Sequence, residues 1–233
     1  MSNSGLFDFK FYEWEKKAHD RPFLRQPFGD QWEEYTWAET GQMARKLAKG
    51  LKSLGLREGA HIGLISKNCR EWIIADLAIM MAGCISVPFF PSLKGEELEF
   101  LLNFGDVDLL FVGKIETWVD IKSNIPHDLP LINFPHYKSF SVVDRGEQWF
   151  DFISRHKPLD KPHTPKLSDL WTIIFTSGTT GNPKGVELSY LALDSTKIIT
   201  EQINPLKIDF FGNNDFISYL SLIHISEPTR PLT

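Results

Sequence analysis

Cysteine is scarce in this 233-residue sequence: there are two, Cys69 and Cys84, each among apolar neighbours and neither in a C-x-x-C or metal-ligand spacing. That excludes a disulfide framework and a cysteine-based metal site, and it points to small buried thiols in a reducing compartment. A basic excess is lacking too, with 25 Lys+Arg against 30 Asp+Glu, a net charge of -5 and a pI near 5.8. Without that excess the chain cannot release many phosphate counterions, so nucleic acid is not an expected partner. No apolar run reaches membrane-spanning character. The most apolar stretch, Trp72 to Phe90, is interrupted by Asp76 and Ser86 and capped by Pro88 and Pro91, and it reads as a buried helix running into a buried strand. The opening MSNSGLFDFKFYEWEKK has no apolar h-region, so no secretory signal is read. Internal repeats and low-complexity tracts are also missing.

What is present is a globular composition, 42% hydrophobic and 24% charged, long enough for one large domain or two small ones. Thr36-Trp-Ala-Glu39 has capping-box spacing, apolar residues then recur from Trp37 to Leu54, and Gly55 is placed to end the helix. His61 to Ile65 has strand length. Asn68 stands as a cap before a mostly apolar helix from about Arg70 to Ala82, and Ile85 to Pro88 reads as the next strand. A helix from about Gly95 to Asn103 then leads into the strand Leu109 to Val112. This alternation favours parallel strands joined by crossover helices, an α/β fold with layered, parallel-rich sheets and flanking helices. From Asn124 to His163 the pattern weakens to an irregular connection with one helix near Gln148 to Arg155. Trp171 to Phe175 and Val186 to Ser189 read as strands again.

Between those last strands lies Thr176-Ser-Gly-Thr-Thr-Gly-Asn-Pro-Lys-Gly185, with four hydroxyls, three glycines and one lysine in ten residues. Glycines let backbone N–H groups approach anionic oxygens closely, hydroxyls add donors that also suit a magnesium shell, and lysine supplies a point charge. The chemistry is that of a polyphosphate cradle. A solvated Gly/Ser/Thr hairpin has a similar composition, but the flanking strands and the density of donors favour the cradle. A P-loop nucleoside triphosphatase needs G-x-x-x-x-G-K-[ST]. Counted from Gly178 the sixth position is Pro183, and Gly185 follows Lys184 where a hydroxyl is required.

The run Phe175 to Val186 resembles the signature loop of the AMP-forming acyl-CoA synthetases, in the adenylate-forming superfamily. Asn68, Glu71-Trp72, Ala75-Asp76, Ala82-Gly83, Val87-Pro88 and Pro91 stand at the spacing of that family's N-terminal subdomain. Val87-Pro-Phe-Phe-Pro-Ser-Leu93, followed by Glu96-Glu-Leu98 and Leu109 to Val112, is most similar to the long-chain fatty-acid ligase branch. The resemblance implies a two-step reaction. A fatty-acid carboxylate attacks the α-phosphate of ATP to give acyl-AMP and pyrophosphate, and the thiol of coenzyme A displaces AMP. It also implies that Thr176, Ser177, Gly178, Thr179, Thr180, Gly181 and Lys184 hold the β- and γ-phosphates, with Thr180 the contact to Mg2+. Lys184 otherwise reads as a solvated loop lysine.

Two positions depart from the family pattern. Tyr190 stands where the family often has histidine, and Ser218-Tyr-Leu-Ser-Leu-Ile-His224 replaces a Ser-Tyr-Leu-Pro-Leu-Ala-His segment. By that alignment His224 reaches the acyl and adenylate pocket. Leu220 to Arg230 is also similar to the conceptual translation of a sequencing adapter, and the rival reading is a genuine strand and loop. The expected organisation is therefore a partial N-terminal adenylation domain over 1–219 and an adapter-like tail over 220–233. The glutamate-bearing magnesium segment, the ribose-binding aspartate and the mobile C-terminal domain with its adenylation lysine have no counterpart here. The expectation is a polypeptide that does not adenylate by itself, which fatty-acid-dependent pyrophosphate release would overturn. The expected partners are fatty acid, ATP and coenzyme A, in the cytoplasm or in peripheral contact with the inner membrane face. An aryl- or amino-acid adenylating enzyme and a non-catalytic nucleotide-binding module are the alternatives.

Overall fold

A computed structural model describes residues 6–7, 9–28, 30–176 and 183–195. Its centre is a run of strands largely buried on both faces, as parallel strands under crossover helices must be. These are β3 (His61–Ile65), β4 (Ile85–Phe89), β5 (Val107–Val112) and β6 (Leu131–Asn133), flanked by the less buried β7 (Glu147–Gln148) and β8 (Leu170–Thr176). With β9 (Lys184–Ser189) they form a seven-stranded sheet in the order β7-β6-β5-β3-β4-β8-β9. All neighbours run parallel except β8 and β9, which are antiparallel.

The two-residue alternation of the strands sorts side chains onto two cores. Ile62, Leu64, Leu109 and Phe111 face one core, with the helices α2 (Trp37–Ser53), α3 (Arg70–Ala82) and α6 (Trp149–Ser154). Val87, Phe89, Leu110 and Val112 face the other, with α4 (Gly95–Phe104) and α5 (Trp118–Ile121). Helix α3 is apolar nearly all round because the sheet covers one side of it and α2 the other. No helix among the described residues is long and apolar enough to cross a membrane.

Helix α2 begins as the spacing predicts. Thr36 Oγ1 accepts the Glu39 N–H at 3.1 Å, and the Glu39 carboxylate accepts the Thr36 N–H at 2.8 Å. Gly55 follows the last turn at φ +74°, a left-handed conformation that glycine adopts without strain. Thr36→Ala removes one side of this reciprocal cap and is expected to cost about 1 kcal/mol. The readout is a lower urea midpoint with an unchanged slope.

Four features depart from the sequence expectation or go beyond it. Cys69, not Asn68, is the N-cap of α3. The stretch from 124 to 163 is more ordered than its composition suggests, since it holds β6, β7 and α6; strands of three and two residues are too short to show a period. The last strand pair, to which the sequence pattern assigns no orientation, is an antiparallel hairpin added to an otherwise parallel sheet. Finally, the N-terminal part holds a helix α1 (Lys10–Lys17) and an antiparallel pair β1 (Pro22–Phe28) and β2 (Gln31–Thr36). Proline at 22 and 27 and a largely exposed β2 hide that pair from a pattern reading.

Candidate functional site

The signature loop is carried by the β8–β9 hairpin. Thr176, the last residue of β8, lies directly opposite Lys184, the first of β9, and both side chains are exposed. Ser177, Gly178, Thr179, Thr180 and Gly181 fall outside the described residues, as does His224. The two described members of the predicted set are thus brought together at the mouth of the loop.

The hairpin stands on a rigid base. Phe175 is buried beneath Thr176 and stacks on Phe89 of β4, with ring centroids 6.0 Å apart and an 11° interplanar angle. Phe104, at the end of α4, packs against the same ring at 5.8 Å. A Cβ on Gly185 would stand 3.3 Å from both Phe175 and Ile173, so glycine lets the ring seat tightly under β9. Thr172 donates its hydroxyl to the Ser86 carbonyl at 2.9 Å, pinning β8 to β4. Because β4 and β8 are parallel neighbours, the Phe89-Phe-Pro-Ser92 exit and the signature loop leave the same edge of the sheet. Two motif regions that are distant in sequence become adjacent there.

A second crossover feature lies on that edge. The chain leaves β3 toward β4 but leaves β5 toward β6, so the carboxyl ends of β3 and β5 form a topological switch point, where α/β proteins commonly bind ligands. Here protein fills it. Ser66 Oγ accepts the Lys114 N–H at 2.9 Å, and Phe134 packs so closely on Gly113 that a Cβ would come within 2.3 Å. The ammonium groups of Lys67 and Lys114 lie over the Phe140 ring at 5.4 and 5.2 Å, and Lys67 also pairs with Glu116 at 2.6 Å. These lysines carry no motif signal, and only the topology singles them out.

Buried ionisable groups lie close by. Glu71, fully buried, accepts from Arg70 Nε at 2.9 Å and from the Tyr137 hydroxyl. Arg70 reaches Glu33 on β2 at 2.7 Å and lies between the rings of Tyr35 and Phe28. Burial pushes the Cys69 thiol up to about 12 and the Cys84 thiol up to about 11, so neither is a thiolate nucleophile at neutral pH. Tyr190 is buried against Phe7, and burial together with the nearby Asp76 carboxyl raises its pKa. No cluster of metal-ligating His, Cys, Asp or Glu occurs among the described residues.

The family model for AMP-binding enzymes matches residues 11–230, and the chain belongs to that family. It is 30% identical over 204 residues to "Long chain acyl-CoA synthetase 2" of Arabidopsis thaliana, covering 82% of this chain and 31% of that protein. It is 26% identical to "Long-chain-fatty-acid--CoA ligase ACSBG2" of Mus musculus, covering 93% of this chain and 34% of that protein. The chain thus spans about a third of the length of the curated relatives it matches.

The fold agrees with solved CoA ligases. The anthranilate CoA ligase AuaEII in complex with anthranoyl-AMP aligns with a TM-score of 0.65 and 21% identity, over 77% of this chain and 34% of that one. A long-chain-fatty-acid-CoA ligase (FadD1) from Archaeoglobus fulgidus aligns with a TM-score of 0.65 and 20% identity, over 82% and 38%. The mixed α/β fold, a parallel-rich sheet with flanking helices, is what the matched parts share.

Proposed function

We propose that Thr176, Ser177, Gly178, Thr179, Thr180, Gly181 and Lys184 bind the β- and γ-phosphates of ATP in an enzyme that activates a long-chain fatty acid. The observation that carries this reading is the register of the hairpin, which sets Lys184 opposite Thr176 at the carboxyl edge of the sheet. An exposed ammonium beside a donor-rich turn suits a triphosphate, whose charge needs preorganised donors. The Thr180 hydroxyl is the oxygen ligand the loop offers to Mg2+, a hard cation that also takes phosphate oxygens. When bound, the ion neutralises phosphate charge. The fatty-acid assignment rests on the names of the curated relatives. Coenzyme A as acyl acceptor and a cytoplasmic setting, with peripheral contact at the inner membrane face, belong to the same proposal. Aryl acids are the second reading, since an anthranilate CoA ligase shares the fold.

Because the chain spans about a third of its relatives, the direct readout is binding. Lys184→Ala is expected to weaken ATP and pyrophosphate binding by about tenfold or more, the worth of one charged hydrogen bond. Lys184 is exposed, so stability should not change. Equal affinity of the two proteins in calorimetric titrations would sink the assignment.

A further inference from the structure

We propose that Phe104 is a positioning residue for phosphate binding: acting through Phe175, it holds the mouth of the β8–β9 hairpin in the geometry that presents Lys184 beside Thr176. The proposal rests on the phosphate reading of that loop. Phe104 closes α4, where the helical repeat puts Phe100 and Phe104 on one face, their rings stacked 5.6 Å apart at 12°, and Leu98, Leu101 and Leu102 on the buried face. A ring that is 56% exposed contributes little burial to the core. The buried ring it meets is that of Phe175, with centroids 5.8 Å apart at 53°.

The Phe175 ring sits in a slot with two glycine walls. A Cβ on Gly105 would come within 3.0 Å of its Cζ, and a Cβ on Gly185 within 3.3 Å of its Cε1. Phe89 stacks on it at 6.0 Å. Gly105 directly follows Phe104, and its N–H donates to the Leu101 carbonyl at 2.9 Å, so one helix end places both the wall and the covering ring. Close-packed walls of this kind do not absorb a displacement but pass it to the next group.

Phe175 adjoins the loop mouth. It lies opposite Gly185 in the hairpin register, and the next pair is Thr176 and Lys184. Phe104 stands on the solvent side of the slot, since Phe175 is only 7% exposed. Without it the Phe175 ring can swing outward, and the Phe175 and Gly185 pair shifts with it. Lys184 and Thr176 then lose their shared position, and a charged contact to phosphate depends on such placement.

The test combines ATP titration calorimetry with amide hydrogen exchange on the full 233-residue chain. Phe104→Ala should weaken ATP binding about fivefold and speed exchange at residues 174–176 and 184–186 about tenfold. Phe104→Tyr, which keeps the ring, should match the unaltered protein in both. Phe150→Ala, at a position 55% exposed on α6 beyond the opposite edge of the sheet, should change neither. In the Lys184→Ala background the ATP penalty of Phe104→Ala should shrink to about twofold or less, because the group it positions is gone, whereas a residue that merely stabilises the fold costs the same in both backgrounds. Should Phe104→Ala fail to fold, Phe104→Leu, apolar but without a ring, takes its place. Unchanged hairpin exchange in the ring-free variant would overturn the proposal. So would ATP affinity untouched by Phe104→Ala while Lys184→Ala lowers it, an equal penalty in both backgrounds, or Phe104→Tyr or Phe150→Ala as weak as Phe104→Ala. ATP binding that is absent, or indifferent to Lys184→Ala, with hairpin exchange still answering to Phe104, would overturn the phosphate reading alone.

Discussion

Glu71→Ala is expected to destabilise the protein by about 3–5 kcal/mol, the cost of leaving one partner of a buried ion pair behind. The Arg70 side chain is 4% exposed and Glu71 is fully buried. Removing the carboxylate leaves Arg70 with Glu33, whose side chain is 55% exposed, and deprives the Tyr137 hydroxyl of its acceptor. Water cannot readily compensate, because Arg70 is sandwiched between Tyr35, 4.0 Å away, and Phe28, 5.1 Å away. The damage should spread beyond α3, since this cluster ties the β1–β2 pair and the Tyr137 segment to the start of that helix. Replacing both members, as Arg70→Met with Glu71→Leu, should recover much of the loss, because a matched apolar pair incurs no ionic desolvation. Urea melts of the single and double variants measure this. A double variant as unstable as Glu71→Ala would show that packing, rather than the stranded charge, sets the cost.

Asp76→Asn is expected to stabilise the protein at pH 7.5 by about 2–3 kcal/mol and to bring little gain at pH 4. Asp76 lies on α3 against Ser86 of β4 and Trp171 of β8, with the Tyr190 hydroxyl nearby. Burial raises its carboxyl to about 6, and the neighbouring polar groups of Ser86 and Trp171 offset part of that rise. The folded protein therefore holds the proton more tightly than the unfolded chain, whose aspartate titrates near 3.9. Stability from this group is fully present below about pH 4 and is lost as pH rises through about 6. The amide stays neutral throughout, so the difference between the two proteins isolates this one titration from the other carboxylates. Equal gains at pH 4 and pH 7.5 would contradict the assignment.

The parts of the fold legible in the sequence are those whose cause is local. The Thr36 and Glu39 cap and the Gly55 stop bound α2 because capping is settled within one turn. The apolar run from Trp72 to Phe90 shows α3 and β4 because burial on all sides leaves few polar positions. The β1–β2 pair and the Arg70, Glu71 and Tyr137 cluster were not legible. The order of β2 depends on a partner 37 residues away and that of Tyr137 on one 66 away, and no local period records either. The switch-point lysines, Lys67 and Lys114, were missed for the same reason: crossover direction is a property of strand order.

The signature loop shows the same division. Its chemistry is a matter of composition, because glycine, hydroxyl and lysine side chains carry their donors wherever the chain places them. From the sequence alone follow the α/β class and the capacity of residues 176–185 to meet phosphate. The position of that loop was decided by tertiary structure. The Ser86 and Thr172 pairing, 86 residues apart, puts β8 beside β4, and the hairpin register sets Lys184 against Thr176. Strand register is fixed by which faces find a core, and that core is assembled from Phe89, Leu110 and Phe175, which no local pattern joins.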